Sequence, residues 1–313
     1  MLTSPFGFLS IDKPAGITSH DCVQEIRKIF KIKRVGHGGT LDPAVTGVLP
    51  IAVGNATRLL PYLKQEKEYR AIIQLGENRS TDDLEGEILS QQQWPNLEPN
   101  TLNEFLNKFR GTIFQKPPKF SSIHIQGERA YKKARKGELF TIPTREITIN
   151  KLLLIDWVQE LGQLEILVNC SPGTYIRSLA RDLGEHLKCG GYLYKLRRTM
   201  SQGFNEKQSI ALQKYDSNDL LINSSIINPI NVLDHLSQIK IKTINELNRW
   251  RKGQQLILSE EIEQTIFNET KTLKLSKMQK YATVIDHQES IAGIAELISP
   301  NKIQPKVVFH ADG

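Results

Sequence analysis

Residues 36–43 read Gly36-His37-Gly38-Gly39-Thr40-Leu41-Asp42-Pro43. Glycines let a backbone turn tightly and come close to a ligand. The proline confines Asp42 to extended conformations. An acid between a glycine-rich turn and a proline is therefore positioned rather than free. Two readings stay open for it: a turn aspartate that accepts local backbone hydrogen bonds, or a carboxylate aimed at a substrate. A phosphate-cradling loop is a third, although the chain lacks the Walker spacing and its Gly-Lys-Ser/Thr ending.

Working outward, Phe6 to Ile11 reads as a strand stopped by Lys13-Pro14-Ala15-Gly16. Thr18 with Asp21 forms a capping-box pattern, followed by Cys22, Val23, Ile26, Ile29 and Phe30 at helical spacing. Residues 35–50 read as one long loop that overlaps a strand candidate, Val48 to Val53. Glu68 to Leu75 alternates, with Tyr69, Ala71 and Ile73 on one face. Thr101 with Glu104 caps a helix to about Phe109. Strands follow at Arg145 to Ile155, Leu164 to Cys170 and Tyr192 to Arg197, and a helix at Tyr175 to His186. Residues 205–238 are rich in Asn and Ser and read as a linker with short helices. Short alternating segments then return at Thr272 to Leu275, Tyr281 to Ile285, Ile291 to Leu297 and Lys306 to Phe309, the pattern of a small β-rich unit.

Three further features bear on chemistry. On the helix from Tyr175, the apolar face is Ile176, Leu179, Ala180, Leu183 and Leu187, and Arg177 falls off it near the N-terminus. A cation there opposes the helix dipole at a cost of roughly 0.3–1 kcal/mol, so a carboxylate or phosphate partner is expected, with a solvated surface arginine as the alternative. Tyr69 is either a packed cross-strand aromatic or a platform for a base. Lys116, Lys119, Arg129, Lys132, Lys133, Arg135, Lys136 and Arg145 surround Phe120 and Tyr131, a mixture that suits RNA phosphates and unstacked bases, or forms a solvated basic face.

The bulk numbers agree with an anionic partner. Lys and Arg total 41 against 34 Asp and Glu, a net charge of +7 over 313 residues. Cys22, Cys170 and Cys189 show no CxxC or zinc-type spacing, which argues against a disulfide scaffold. No apolar run is long enough to span a bilayer and the first residues lack a signal-peptide pattern, so a cytoplasmic protein is expected.

In chain order, residues 36–43, Thr46-Gly47-Val48-Leu49 and Lys67-Glu68-Tyr69-Arg70 resemble the TruB-type pseudouridine synthases. So do Ile11-Asp12-Lys13-Pro14 with Gly16 and Ser19, and Pro117-Pro118 with Phe120-Ser121-Ser122, Gly127 and Ala130-Tyr131. Ser171-Pro172-Gly173-Thr174-Tyr175-Ile176-Arg177 and Leu196-Arg197-Arg198 complete a likeness that runs from about 6 to 204. Two places depart from the family pattern. Val45 stands where alanine is usual, and Phe120-Ser121-Ser122-Ile123-His124 replaces a Tyr-Ser-Ala followed by lysine.

The resemblance implies a stand-alone isomerase that converts uridine to pseudouridine at position 55 in the T arm of tRNA, without cofactor or metal. It assigns Asp42 as the catalytic carboxylate, Tyr69 as the tyrosine that stacks on the target base and Arg177 as the arginine paired with the carboxylate. It makes His37, Tyr175, Leu196, Lys13 and Arg58 substrate contacts. It implies a mixed α/β (α+β) catalytic domain on a largely antiparallel sheet over residues 1–238, with an RNA-gripping insert near 116–148. A small PUA-like RNA-binding β-barrel follows over 239–313, and the tRNA-bound enzyme is expected to be a monomer. The rivals are a guide-RNA-dependent synthase of the same superfamily, a non-catalytic tRNA chaperone and a phosphate-binding enzyme that uses residues 36–39.

Overall fold

The computed structural model describes residues 5–212, 220–258, 280–299 and 301–310. The chain's first half weaves a sheet from strands β1 (Gly7–Lys13), β2 (Val35–His37), β3 (Thr46–Val53) and β4 (Lys67–Leu75), with helix α1 (Ser19–Phe30) after the first of them. Helix α2 (Pro99–Asn107) leads into β5 (Gly111–Gln115), β6 (Arg145–Val158) and β7 (Gln163–Cys170). Helix α3 (Ile176–His186), β8 (Gly191–Ser201) and β9 (Ile210–Ala211) complete this part. The sheet has ten strands among the described residues, in the order β9-β1-β3-β8-β4-β7-β6-β5, with β2 on β3 and Phe204–Asn205 on β8. The pairs are antiparallel except β1 with β9 and β3 with β8, as expected of a largely antiparallel mixed fold.

Local rules explain most of these elements. Thr18 caps α1 and Asp21 closes the box, and Cys22, Val23, Ile26 and Ile29 are buried beneath it. Strand β4 alternates as read, with Tyr69, Ala71, Ile73 and Leu75 facing the core. The core runs between that face and the helices: Leu164, Ile166 and Val168 from β7, and Ile176, Leu179, Ala180 and Leu183 from α3.

Some expectations are corrected. Residues 35–50 are not one loop, because β2 and β3 take both ends and leave only 38–45 irregular. Helix α2 starts at Pro99 with Glu98 at its cap, so Thr101 and Glu104 lie inside it. Proline's fixed φ suits the first helical position and outweighs a capping-box spelling two residues later. The stretch read as a linker is stitched onto the sheet. Ile210 and Ala211 pair with β1, Ile227 bridges Phe8, and Ile222 is buried in the core.

Among the described residues the C-terminal segment forms a five-stranded sheet from β10 (Ser237–Lys240), β11 (Leu256–Ile257), β12 (Tyr281–Ile285), β13 (Ile291–Ser299) and β14 (Lys302–Val308). Helix α4 (Ile244–Arg251) buries Trp250 against it, with the indole N–H donating to the Ala292 carbonyl at 2.9 Å. The expected strand Thr272 to Leu275 lies outside the described residues. This segment shares an apolar cluster with the large sheet: Phe8, Val48, Leu59 and Phe204 meet Ile291, Ile294, Val307 and Phe309. No helix among the described residues is long and apolar enough to cross a membrane.

Candidate active site

The loop 38–43 is fastened from three sides. Ser19 on α1 accepts from the Leu41 amide at 2.8 Å and its hydroxyl donates back to the Leu41 carbonyl at 3.2 Å. The Pro43 carbonyl accepts from the Gly16 amide at 2.9 Å and from the Lys13 ammonium at 3.0 Å. The Arg198 guanidinium, fully buried on β8, donates to the Gly39 carbonyl at 3.1 Å and to the Val48 carbonyl at 2.7 Å. Strand β8 reaches this position because Gly47 has no side chain: a Cβ there would lie 2.2 Å from the Arg198 carbonyl oxygen. Between these anchors Asp42 presents its carboxylate outward, 53% exposed.

Arg177 meets it. Its Nη2 lies 3.1 Å from Asp42 Oδ2, its Nη1 lies 3.3 Å from Asp83 Oδ2, and Nη2 donates to the Phe120 carbonyl at 3.1 Å. The side chain is only 11% exposed. Two carboxylates and a carbonyl thus offset the unfavourable placement of a cation at the start of α3. Tyr175 caps that helix, and the buried Gln115 side chain holds both its amide (2.8 Å) and its carbonyl (3.1 Å), which fixes where Arg177 starts.

Tyr69 forms the wall beside them. It lies in register with Arg198 on β8 and Val168 on β7. Burial pushes its phenol above the ordinary range, the Arg198 guanidinium beside it pulls the other way, and Asp42 is close enough to add to the rise. Leu196, partly buried against the core, lies in register with Ala71 next to Tyr69. His37 is half-buried, and its Nδ1 accepts from the Gly39 amide at 3.3 Å. Burial pushes the imidazole below its usual range, helped by Arg198 and His20, so it is held neutral as an acceptor.

The structure therefore brings Asp42, Tyr69, Arg177, His37, Tyr175 and Leu196 to one region and sets two expected contacts apart. Lys13 is fully buried, and its ammonium donates to the carbonyls of Pro14, Ile17 and Pro43 at 2.8, 2.7 and 3.0 Å. An ammonium has three N–H groups, so none remains for a substrate: Lys13 supports the Asp42 loop from beneath. Arg58 sits on the 3-10 segment Gly54–Tyr62, where it donates to the Val308 carbonyl at 2.7 Å and lies over the Phe309 ring. Its guanidinium joins the C-terminal sheet to the large one.

Sequence reasoning gave no role to Asp83, Arg198 or Gln115. Arg198 stood in a quoted motif, but a basic residue on a strand gives no sign that it will be buried. Asp83 stood in a run of turn acids, Thr81-Asp82-Asp83, whose local signal is that of any turn.

The insert is rooted on α3. Ser178 Oγ and Arg181 Nη2 both donate to the Lys116 carbonyl at 2.8 Å. Beyond it lie the hairpin strands His124–Ile125 and Glu128–Arg129 and the helix Ala130–Arg135. Some of its cations are internally matched: Lys133 pairs with Glu138 and Lys136 with Glu128, each at 2.9 Å. Arg135 lies over Tyr131. Among the described residues, no group of His, Cys, Asp and Glu is arranged to hold a metal.

Comparison with known proteins fits this arrangement. Residues 27–176 match the family model described as the TruB family pseudouridylate synthase N-terminal domain. Residues 177–224 match that of the tRNA pseudouridylate synthase B C-terminal domain. A tRNA pseudouridine synthase B from Prochlorococcus marinus is 52% identical over 98% of both chains. That of a second strain of the species is 48% identical over 100% of both. Among solved structures, an H/ACA RNP bound to a substrate RNA containing 2'-deoxyuridine has a chain with a TM-score of 0.69 at 22% identity. The match covers 97% of this chain and 85% of that one, and at this identity it speaks to the fold alone.

Proposed function

This chain belongs to the TruB family of pseudouridylate synthases, and from that premise we propose that it isomerises uridine to pseudouridine at position 55 in the T arm of tRNA, with Asp42 as its catalytic carboxylate. The observation that carries the reading is the contact of Asp42 with Arg177 at 3.1 Å, on a loop held by Ser19, Lys13 and Arg198. The reaction breaks the N1–C1′ bond, turns the uracil and joins C5 to C1′, so the C5 proton leaves and N1 gains one. A carboxylate serves such sugar chemistry as nucleophile or base. Arg177 orients Asp42, with Asp83 and the Phe120 carbonyl orienting Arg177 in turn. The target must leave its stack at a cost of a few kcal/mol. Stacking on Tyr69, with Leu196 and His37 lining the site, offsets that cost.

RNA grip comes from the insert near 116–148 and from residues 239–313, which we assign as a PUA-like RNA-binding domain after a catalytic domain of residues 1–238. The separate C-terminal sheet, with its own apolar cluster around Trp250, supports that division.

Tritium release tests the reaction. A tRNA transcript carrying 5-tritiated uridine should lose label to water on incubation with this protein alone. Retained label, with folded protein bound to the tRNA, would overturn the reading in favour of a chaperone or a guide-dependent enzyme.

A further inference from the structure

Three basic side chains converge beneath the loop 38–43: Lys13, Lys67 and Arg198. Lys13 and Arg198 are fully buried and both are spent on carbonyl oxygens. Among the described residues neither makes an ion pair, and the carboxylate of the loop itself, Asp42, is engaged by Arg177. Buried cations without a matching anion are costly, and their field is least screened where water is scarce.

Lys67 differs from its two neighbours. It begins β4, two residues before Tyr69 on the same face of the strand. Among the described residues its ammonium finds no hydrogen-bond or ion-pair partner, yet its Nζ keeps solvent contact. It stands against the loop: a Cβ placed on Gly39 would lie 3.4 Å from Lys67 Nζ and 3.7 Å from Arg198 Nη1. Gly39 has no Cβ, so the backbone here presents no side chain between the ammonium and an approaching strand. Burial and the repulsion of Arg198 both weigh against the charge of Lys67, so a free protein holds it at a cost that an anion would relieve.

We propose that Lys67 is a substrate-binding residue that receives a non-bridging phosphate oxygen flanking the target uridine, with Arg198 behind it strengthening the field. The inference rests on the reading of this site as an RNA pseudouridylation centre. A phosphodiester is the chemistry that fits, because it is the anion every incoming nucleotide carries within a few ångströms of the reacting sugar. Arg198 is sealed and so acts through Lys67, as a positioning residue. Lys13 is sealed likewise.

The test measures equilibrium binding of an unmodified tRNA transcript across a KCl series, with single-turnover rates alongside. Lys67→Met should bind about tenfold more weakly at low salt, and its slope of log K against log salt should shrink by about 0.7, the value of one single-stranded phosphate contact. Lys67→Arg should keep most of the affinity. Stem-loop RNAs carrying a methylphosphonate at one or the other phosphate beside the target supply a readout that needs no variant. One of them should weaken wild-type binding by the same factor and leave Lys67→Met unaffected. Wild-type protein indifferent to both methylphosphonates would overturn the proposal. So would a Lys67→Met loss confined to the single-turnover rate, which would place the charge on the departing base instead. Wild type that binds the transcript but forms no pseudouridine would sink the proposed reaction, while the affinities would still judge the phosphate contact.

Discussion

The loop 38–43 and the insert after residue 116, to which we assign chemistry and RNA grip, are built in opposite ways. The loop's carbonyls and amides are tied to Ser19, Lys13, Gly16 and Arg198, all from other elements, at distances between 2.8 and 3.2 Å. The insert is fixed at its root, where α3 grips the Lys116 and Phe120 carbonyls, and farther out it is matched mainly to itself through Lys133, Glu138, Glu128 and Lys136. Chemistry needs a carboxylate held within a fraction of an ångström. Grip on RNA needs charge that can adjust. Helix α3 touches both regions, since Arg177 reaches Asp42 and Phe120 at once.

If that contrast is right, damage to the loop should lower rate or stability, and damage to the insert should lower affinity. The largest effect is expected from Asp42→Asn, which should cost about a thousandfold or more in single-turnover rate with tRNA binding retained. Arg177→Lys should follow at roughly a hundredfold in rate with little change in KM, because an ammonium cannot serve Asp42, Asp83 and Phe120 with a planar fork. Equal rates for Arg177→Lys and wild type would break the pairing. Lys13→Met should leave three carbonyls without their donor and cost about 3 kcal/mol in urea unfolding, along with rate. In the insert, Lys133 and Lys136 are paired but Lys119 and Lys132 have no ion pair among the described residues, and the double change of the latter two to alanine should weaken binding several-fold and lower the salt slope without touching the single-turnover rate.

The smallest effect concerns acid. His37 has its folded pKa below its ordinary 6.5, so as pH falls through 6.5 the unfolded chain takes up the proton first. Its contribution to stability is thus complete above 6.5 and shrinks below it, until the folded imidazole also protonates. His37→Gln should flatten the fall in melting temperature below pH 6.5. An unchanged pH profile would mean that His37 is not buried as a neutral acceptor.

What the sequence made legible follows the range of the interactions. The capping box of Thr18 and Asp21 and the alternation of Tyr69, Ala71 and Ile73 are local, and both appear as read. The same local spelling misled at Thr101 and Glu104, where Pro99 set the helix start. The partnership of Arg177 with Asp42 was legible as a puzzle, a cation at the wrong end of a helix, and the family likeness supplied the partner. Lys13 and Arg58 were expected as substrate contacts, but their structural roles were not legible. Nothing local says that an ammonium will be spent on the Pro43 carbonyl, 30 positions away, or a guanidinium on that of Val308, 250 away. The same contact complicates removal of the C-terminal segment: deleting residues after 238 would bare Phe8, Val48 and Leu59, so lost tRNA binding would have to be separated from lost stability.

The central claim is most directly tested by single-nucleotide mapping of pseudouridine in an unmodified tRNA transcript incubated with this protein alone and with Asp42→Asn. A product at position 55 with wild type and none with the variant is predicted. A product at another position, or one that persists with Asp42→Asn, would contradict the assignment of site or carboxylate.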